Sequence, residues 1–107
     1  MWARVSIYRG DDEQVEQAVE LFRTDVLPWL RDATGFRGAL ILNDAEAERS
    51  LAITFWDSRE AVADPEASGV ALRDEVSATV GSRLEAQELY EVLLTEDVGP
   101  EAGPGGP

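Results

Sequence analysis

The sequence predicts an α+β domain in which one antiparallel sheet carries its helices on a single face. Three observations predict it. Period-two alternation opens the chain at Trp2–Arg9 and closes the ordered part at 83–95; two more such runs sit in mid-chain, joined by a short polar turn; and apolar residues recur at helical spacing in the gaps. The resulting order is β-α-β-β-α-β. At 107 residues the chain makes one domain, expected over residues 1–95. The remainder, 96–107, is acidic and rich in Gly and Pro, the composition of a disordered tail.

The first strand alternates Ala3, Val5 and Ile7 with Trp2, Arg4, Ser6 and Tyr8, so both of its faces carry bulky groups. A sheet with one covered face would show a more polar second set. Gly10 breaks the strand, and Asp11 or Asp12 is placed to cap a helix. That helix turns Val15, Ala18, Val19, Phe22, Val26, Trp29, Leu30 and Ala33 inward and Glu16, Gln17, Glu20, Arg23 and Asp25 outward. Pro28 interrupts it, because its ring collides with the Thr24 carbonyl in a regular helix; a kink or break before Trp29 is expected. Gly35 ends the segment.

Strands over 36–43 and 49–56, joined by Asp44-Ala45-Glu46-Ala47-Glu48, predict a hairpin. With Leu42 opposite Ser50, Phe36 faces Trp56 and Gly38 faces Thr54. One face then holds Phe36, Leu40, Leu42, Ala52 and Trp56. Asp57 followed by Glu60 predicts a capped turn of helix directly after Trp56. Asp64-Pro65 launches a further helix striped by Val70, Leu72, Val76 and Val80 and ended by Gly81. The last strand interleaves Leu84, Ala86, Tyr90, Val92 and Leu94 with polar residues up to Thr95.

This is the split βαβ order of a ferredoxin-like sheet. Its helices leave one face open. The apolar residues assigned to that face (Trp2, Tyr8, Leu51, Ile53 and Phe55) need another cover, and a second copy of the same sheet is the simplest, giving a homodimer.

Composition prunes the chemistry. The chain has no cysteine and no histidine, and its nine basic residues are all arginines. Disulfides, thiolate nucleophiles, Ser–His triads, His-ligated haem, Schiff-base lysines and the usual zinc sites are therefore excluded. Neither Asp11-Asp12-Glu13 nor the hairpin acids match a calcium-loop spacing, so no metal site is expected. A net charge of −13 argues against nucleic acid and anionic lipid, leaving a neutral or hydrophobic small molecule or a protein as partner. No apolar run is long enough to cross a bilayer and the first residues lack a signal-peptide pattern, so a cytoplasmic location is the default expectation.

Gly35-Phe36-Arg37-Gly38-Ala39, after a helix ending near Leu27-Pro28-Trp29-Leu30, and then Leu51-Ala52-Ile53-Thr54-Phe55-Trp56-Asp57-Ser58-Arg59-Glu60-Ala61, resemble the antibiotic biosynthesis monooxygenase family. The resemblance spans roughly residues 2–95 and implies a dimeric α+β barrel. It implies an enzyme that oxidises a small quinol- or anthrone-like aromatic with neither metal nor flavin. The deprotonated substrate itself passes an electron to dioxygen, while the protein binds it flat and excludes water. Trp56 would wall the cleft between sheet and helices. A related haem-degrading branch uses a first-strand asparagine and a histidine on the last helix. The matching positions here are Ala3 and the neighbourhood of Arg73, so that activity is not implied.

The expected ligand pocket comprises Trp56, Phe22, Phe36, Trp29, Leu72, Arg73 and Val76. Each also has a plainer role: Trp56, Phe22, Phe36 and Trp29 as core, and Arg73 as a solvated ion pair near Asp74, Glu75 and Glu85. Tyr8 and Tyr90 are the best strand-borne proton donors, though packing alone accounts for them. No residue stands out as a general base. A non-catalytic dimeric domain that binds a small apolar ligand or a protein partner is the alternative.

Overall fold

The computed structural model describes residues 1–63, 81 and 83–96. The expected helix over 64–80, with Leu72, Arg73 and Val76, and the tail from 97 onward lie outside the described residues. Strand β1 (Trp2–Arg9) leads into α1 (Asp12–Leu21), a π-helical segment (Phe22–Val26) and α2 (Leu27–Arg31). Then follow β2 (Phe36–Asp44), β3 (Arg49–Trp56), the short α3 (Arg59–Ala63) and β4 (Arg83–Glu91). The last strand ends at Glu91, short of the expected Thr95.

Asp11 caps α1 in a full capping box: its carboxylate accepts from the Gln14 N–H at 2.8 Å, and the Gln14 side chain accepts from the Asp11 N–H at 3.0 Å. The expected break at Pro28 takes the form of a wider turn. Leu27 N–H donates to the Phe22 carbonyl, five residues back. Pro28 then sits in the first turn of α2, where its missing N–H has no helical partner to lose. Gly35 closes the unit with φ +84°, and a Cβ there would lie 2.8 Å from the Ala61 Cβ. The position demands glycine twice over, by backbone angle and by close approach.

The strands form one antiparallel sheet in the order β2-β3-β1-β4, the ferredoxin-like arrangement. The expected hairpin register holds at Phe36↔Trp56 and then slips. A bulge at Arg37 sets Gly38 against Phe55, Leu42 against Leu51 and Asn43 against Ser50. That slip of one residue moves Leu40 and Leu42 to the opposite face from Trp56. Two more assignments are corrected by the β1–β3 register. Trp2 pairs with Trp56 and Tyr8 with Ser50, so both lie on the helix-covered face. The open face carries Ala3, Val5 and Ile7 beside Leu51, Ile53 and Phe55. A second bulge at Glu85 puts Leu84 opposite Tyr8 but Ala86 opposite Ile7, splitting two residues expected together.

Asp57 does not cap α3 as expected. Its N–H is tied to the Gly35 carbonyl at 2.8 Å and its carboxylate accepts from Arg37 Nη1 at 2.8 Å. Ser58 takes the cap, its Oγ accepting from the Ala61 N–H at 3.1 Å.

The core gathers where helices meet the end of the sheet. Val26 from the π segment, Leu30 from α2 and Val62 from α3 bury against Trp56, ringed by Trp2, Leu21, Phe22 and Phe36. Phe36 meets the indole edge to face, with centroids 5.4 Å apart and planes at 73°. Trp29, expected in this core, remains 40% exposed. The π segment ahead of it shifts the helical phase from the regular spacing on which that expectation rests.

Candidate functional site

Sheets usually turn their apolar set toward the helices and their polar set away. Here the first strand does the reverse. Beneath the helices β1 presents Trp2, Arg4, Ser6 and Tyr8, and β3 presents Ser50, Ala52, Thr54 and Trp56. Ser6, Tyr8, Ser50 and Thr54 are all buried. The floor under the helices is thus a row of hydroxyls that ends at two stacked strand positions bearing indoles.

Several of these groups have assigned partners. Trp56 Nε1 donates to Thr54 Oγ1 at 2.9 Å. Arg4 Nη2 donates to the Val62 carbonyl of α3 at 2.7 Å, tying the floor to its cover. Arg59 places its guanidinium 5.7 Å from the centre of the Trp2 ring, a cation–π contact at the rim. Ser6 differs: its Oγ is buried and finds no hydrogen-bond partner among the described residues. Buried polar atoms are nearly always satisfied, so this exception asks for an explanation.

Of the residues expected to form the pocket, Trp56, Phe22 and Phe36 come together, and Trp29 does not join them. Trp56 is 0% exposed, so in this conformation no water-sized space touches the indole. The structure adds Trp2, Ser6 and Thr54 to the same face, which the sequence reading does not place there. The signal was the shared parity of Trp2, Arg4, Ser6 and Tyr8, which a β1–β3 pairing of Trp2 with Trp56 carries beneath the helices.

On the other face an open groove of about 520 Å³ runs past Met1, Gly38, Leu40, Phe55, Val92 and Leu94. Residues 92–96 form its far wall, rooted by the Val92 N–H donating to the Met1 carbonyl at 2.9 Å. Leu93 and Leu94 are 86% and 89% exposed.

Apart from Arg4, charge lies at the surface rather than on the floor. Every described carboxylate is exposed, and no group of acids among the described residues is placed to hold a metal ion. Tyr90, on the open face, has its hydroxyl pushed up in pKa chiefly by a hydrogen bond to Glu88. At the far end of that face Arg9 stands opposite both Arg49 and Arg83. The bulged Glu85 relieves this like-charge row by pairing with Arg9 and, at 3.8 Å, with Arg83. No helix among the described residues is long and apolar enough to cross a membrane.

No protein-family model and no curated protein sequence matches the chain. Solved structures do. A monooxygenase from the gene ActVA-Orf6 of Streptomyces coelicolor, in complex with nanaomycin D, aligns at TM-score 0.68 and 16% identity over 94% of this chain and 92% of that one. SnoaB, a cofactor-independent oxygenase of Streptomyces nogalater, aligns in a mutant form at 0.64 and 15% over 88% and 94%. A Deinococcus radiodurans protein assigned to the antibiotic biosynthesis monooxygenases aligns at 0.64 and 17% over 94% and 100%. Identities this low establish the fold alone. The chain has the ferredoxin-like α+β fold of antibiotic biosynthesis monooxygenase-type structures.

Proposed function

We propose that the protein is a homodimeric, cofactor-independent oxygenase acting on a small quinol- or anthrone-like aromatic bound between sheet and helices. The observation that carries this reading is the inverted sheet. A domain that only needed stability would bury Val5 and Ile7 beneath its helices and expose Ser6 and Tyr8. This one buries hydroxyls where a ligand would lie and turns its apolar set outward, where a second copy covers it. The fold shared with SnoaB and with ActVA-Orf6, the latter bound to nanaomycin D, supports the same substrate class.

The chemistry asks little of the side chains. An anthrone CH2 and dioxygen yield the quinone carbonyl and water. One oxygen atom enters the product, the other leaves as water, and all four electrons come from the substrate carbon. The protein's share is to hold the ring flat against Trp56 and Phe36, offer hydroxyl dipoles to the developing enolate and keep water out. Because Trp56 is sealed, the cover yields on binding. Its least regular part is the π segment ahead of Pro28. Residues 92–96, with two exposed leucines, extend the dimer contact beyond the sheet face.

One observation favours a second reading, a non-catalytic dimeric domain that binds an apolar ligand or a protein partner. Every described carboxylate is exposed, so none of them is a candidate base on the buried floor. Oxygen uptake separates the two. With an anthrone substrate the protein is expected to consume oxygen well above autoxidation, and Trp56→Ala to lose most of the excess. Uptake equal to autoxidation across a panel of quinols and anthrones replaces the enzyme with the binding domain.

A further inference from the structure

We infer that Ser6 is a specificity-determining residue, whose hydroxyl selects ligands presenting an oxygen to the middle of the sheet. The inference rests on the reading of the space beneath the helices as a ligand site, and it adds the feature of the ligand that is recognised there.

Ser6 lies in mid-strand with Ala52 opposite it on β3 and Gln87 opposite it on β4. The Ser6–Ala52 pair is the smallest on the floor, between the Tyr8–Ser50 and Arg4–Thr54 pairs. Ser6 is 1% exposed, and its Oγ has no partner among the described residues. Thr54, the neighbouring hydroxyl, already accepts from Trp56. A buried hydroxyl left without a partner lowers stability relative to alanine. A residue that costs stability in the free protein and sits at the low point of a polar floor is placed for a bound state. Four residues of strand separate Ser6 from Trp2, whose cross-strand partner is Trp56, or roughly 13 Å along the sheet. A three-ring aromatic with one end near the indoles brings an oxygen at its far end toward Ser6, and a two-ring aromatic laid over the small Ser6–Ala52 pair reaches the same hydroxyl without touching the indoles. The hydroxyl donates to a carbonyl or phenolate oxygen, or accepts from a phenol.

The test uses two probes of matched shape, 1-naphthol and 1-methylnaphthalene, titrated calorimetrically into the full chain and into Ser6→Ala. The wild type is expected to prefer the naphthol by about tenfold, and Ser6→Ala to reduce that preference to about threefold or less. Affinity for 1-methylnaphthalene should be unchanged and the Tm equal or higher. Binding of both probes with the preference intact in Ser6→Ala overturns the role of Ser6 and leaves the site reading standing. A parallel loss of both affinities with a lower Tm makes Ser6 structural and likewise overturns it. Failure of both probes to bind the wild type overturns the site reading, and this inference with it.

Discussion

Trp56 and Thr54 lie on the same face of β3, and the indole turns back along its own strand so that Nε1 donates to Thr54 Oγ1 at 2.9 Å. The bond lets the largest side chain of the core be buried completely without an orphaned N–H. Thr54→Val preserves shape but leaves the donor unpaired, so it should cost about 1–3 kcal/mol. Thr54→Ser, which keeps the acceptor, should cost less. Urea denaturation of both variants checks this; a Thr54→Ser loss larger than the Thr54→Val loss would mean that the packing of the methyl, not the hydrogen bond, sets the effect.

Gly35 joins the end of the first helical unit to β2 and lets α3 pack close. Its φ of +84° and the 2.8 Å approach of Ala61 to a would-be Cβ act together. Gly35→Ala should lose about 1–2 kcal/mol from the backbone angle alone, and more from the clash. Combining it with Ala61→Gly should recover the clash and leave the backbone cost. If the double variant recovers nothing, the contact with Ala61 is not part of the penalty.

Much of this architecture was legible in the sequence because it is encoded locally. Strand β3 was placed to the residue, the turn after Arg9 announced its cap, and Pro28 marked the place where the first helix departs from regularity. The hairpin and last-strand differences share one cause. Register is set by bulges, and nothing in Arg37 or Glu85 announces that a ladder will slip there. Once Arg37 bulged, Leu40 and Leu42 changed faces. Assigning Trp2 and Tyr8 to the open face followed the rule that an uncovered apolar surface seeks a partner. The apolar set that the open face carries is Val5, Ile7, Leu51, Ile53 and Phe55, and the polar set of β1 lies beneath the helices. The hydroxyl floor is hidden by the expectation that cores are apolar, since Ser6, Ser50 and Thr54 are buried here.

Glu85 titrates below the usual carboxylate range, chiefly because of its hydrogen bond from Arg9, with Arg83 and Arg49 adding attraction. A carboxyl whose pKa is depressed by folding contributes stability above its unfolded value, near 4. That contribution disappears as pH falls through the lower folded value. The Tm gap between wild type and Glu85→Gln should therefore be present at neutral pH and close on acidification below about pH 4. A gap that persists unchanged in acid would mean Glu85 acts through packing.

Two chains of net charge −13 repel when they associate. Added salt screens that repulsion over about a Debye length, ~10 Å at 0.1 M. The dissociation constant of the proposed dimer should fall as sodium chloride is raised, measured by dilution in the ultracentrifuge. A constant that rises with salt would point instead to an interface held by ion pairs such as those of the Arg9–Glu85 row.

The account stands on the exchange of roles between the two faces of the sheet, apolar side chains outward to a second copy and hydroxyls inward to a ligand. Sedimentation equilibrium of the full chain tests this most directly. The wild type should sediment at twice its 11.7 kDa protomer mass. Ile53→Arg, which sets a charge in the middle of the open face, should sediment as a protomer that remains folded by circular dichroism. A wild type that stays at the protomer mass at high concentration and high salt would contradict the account.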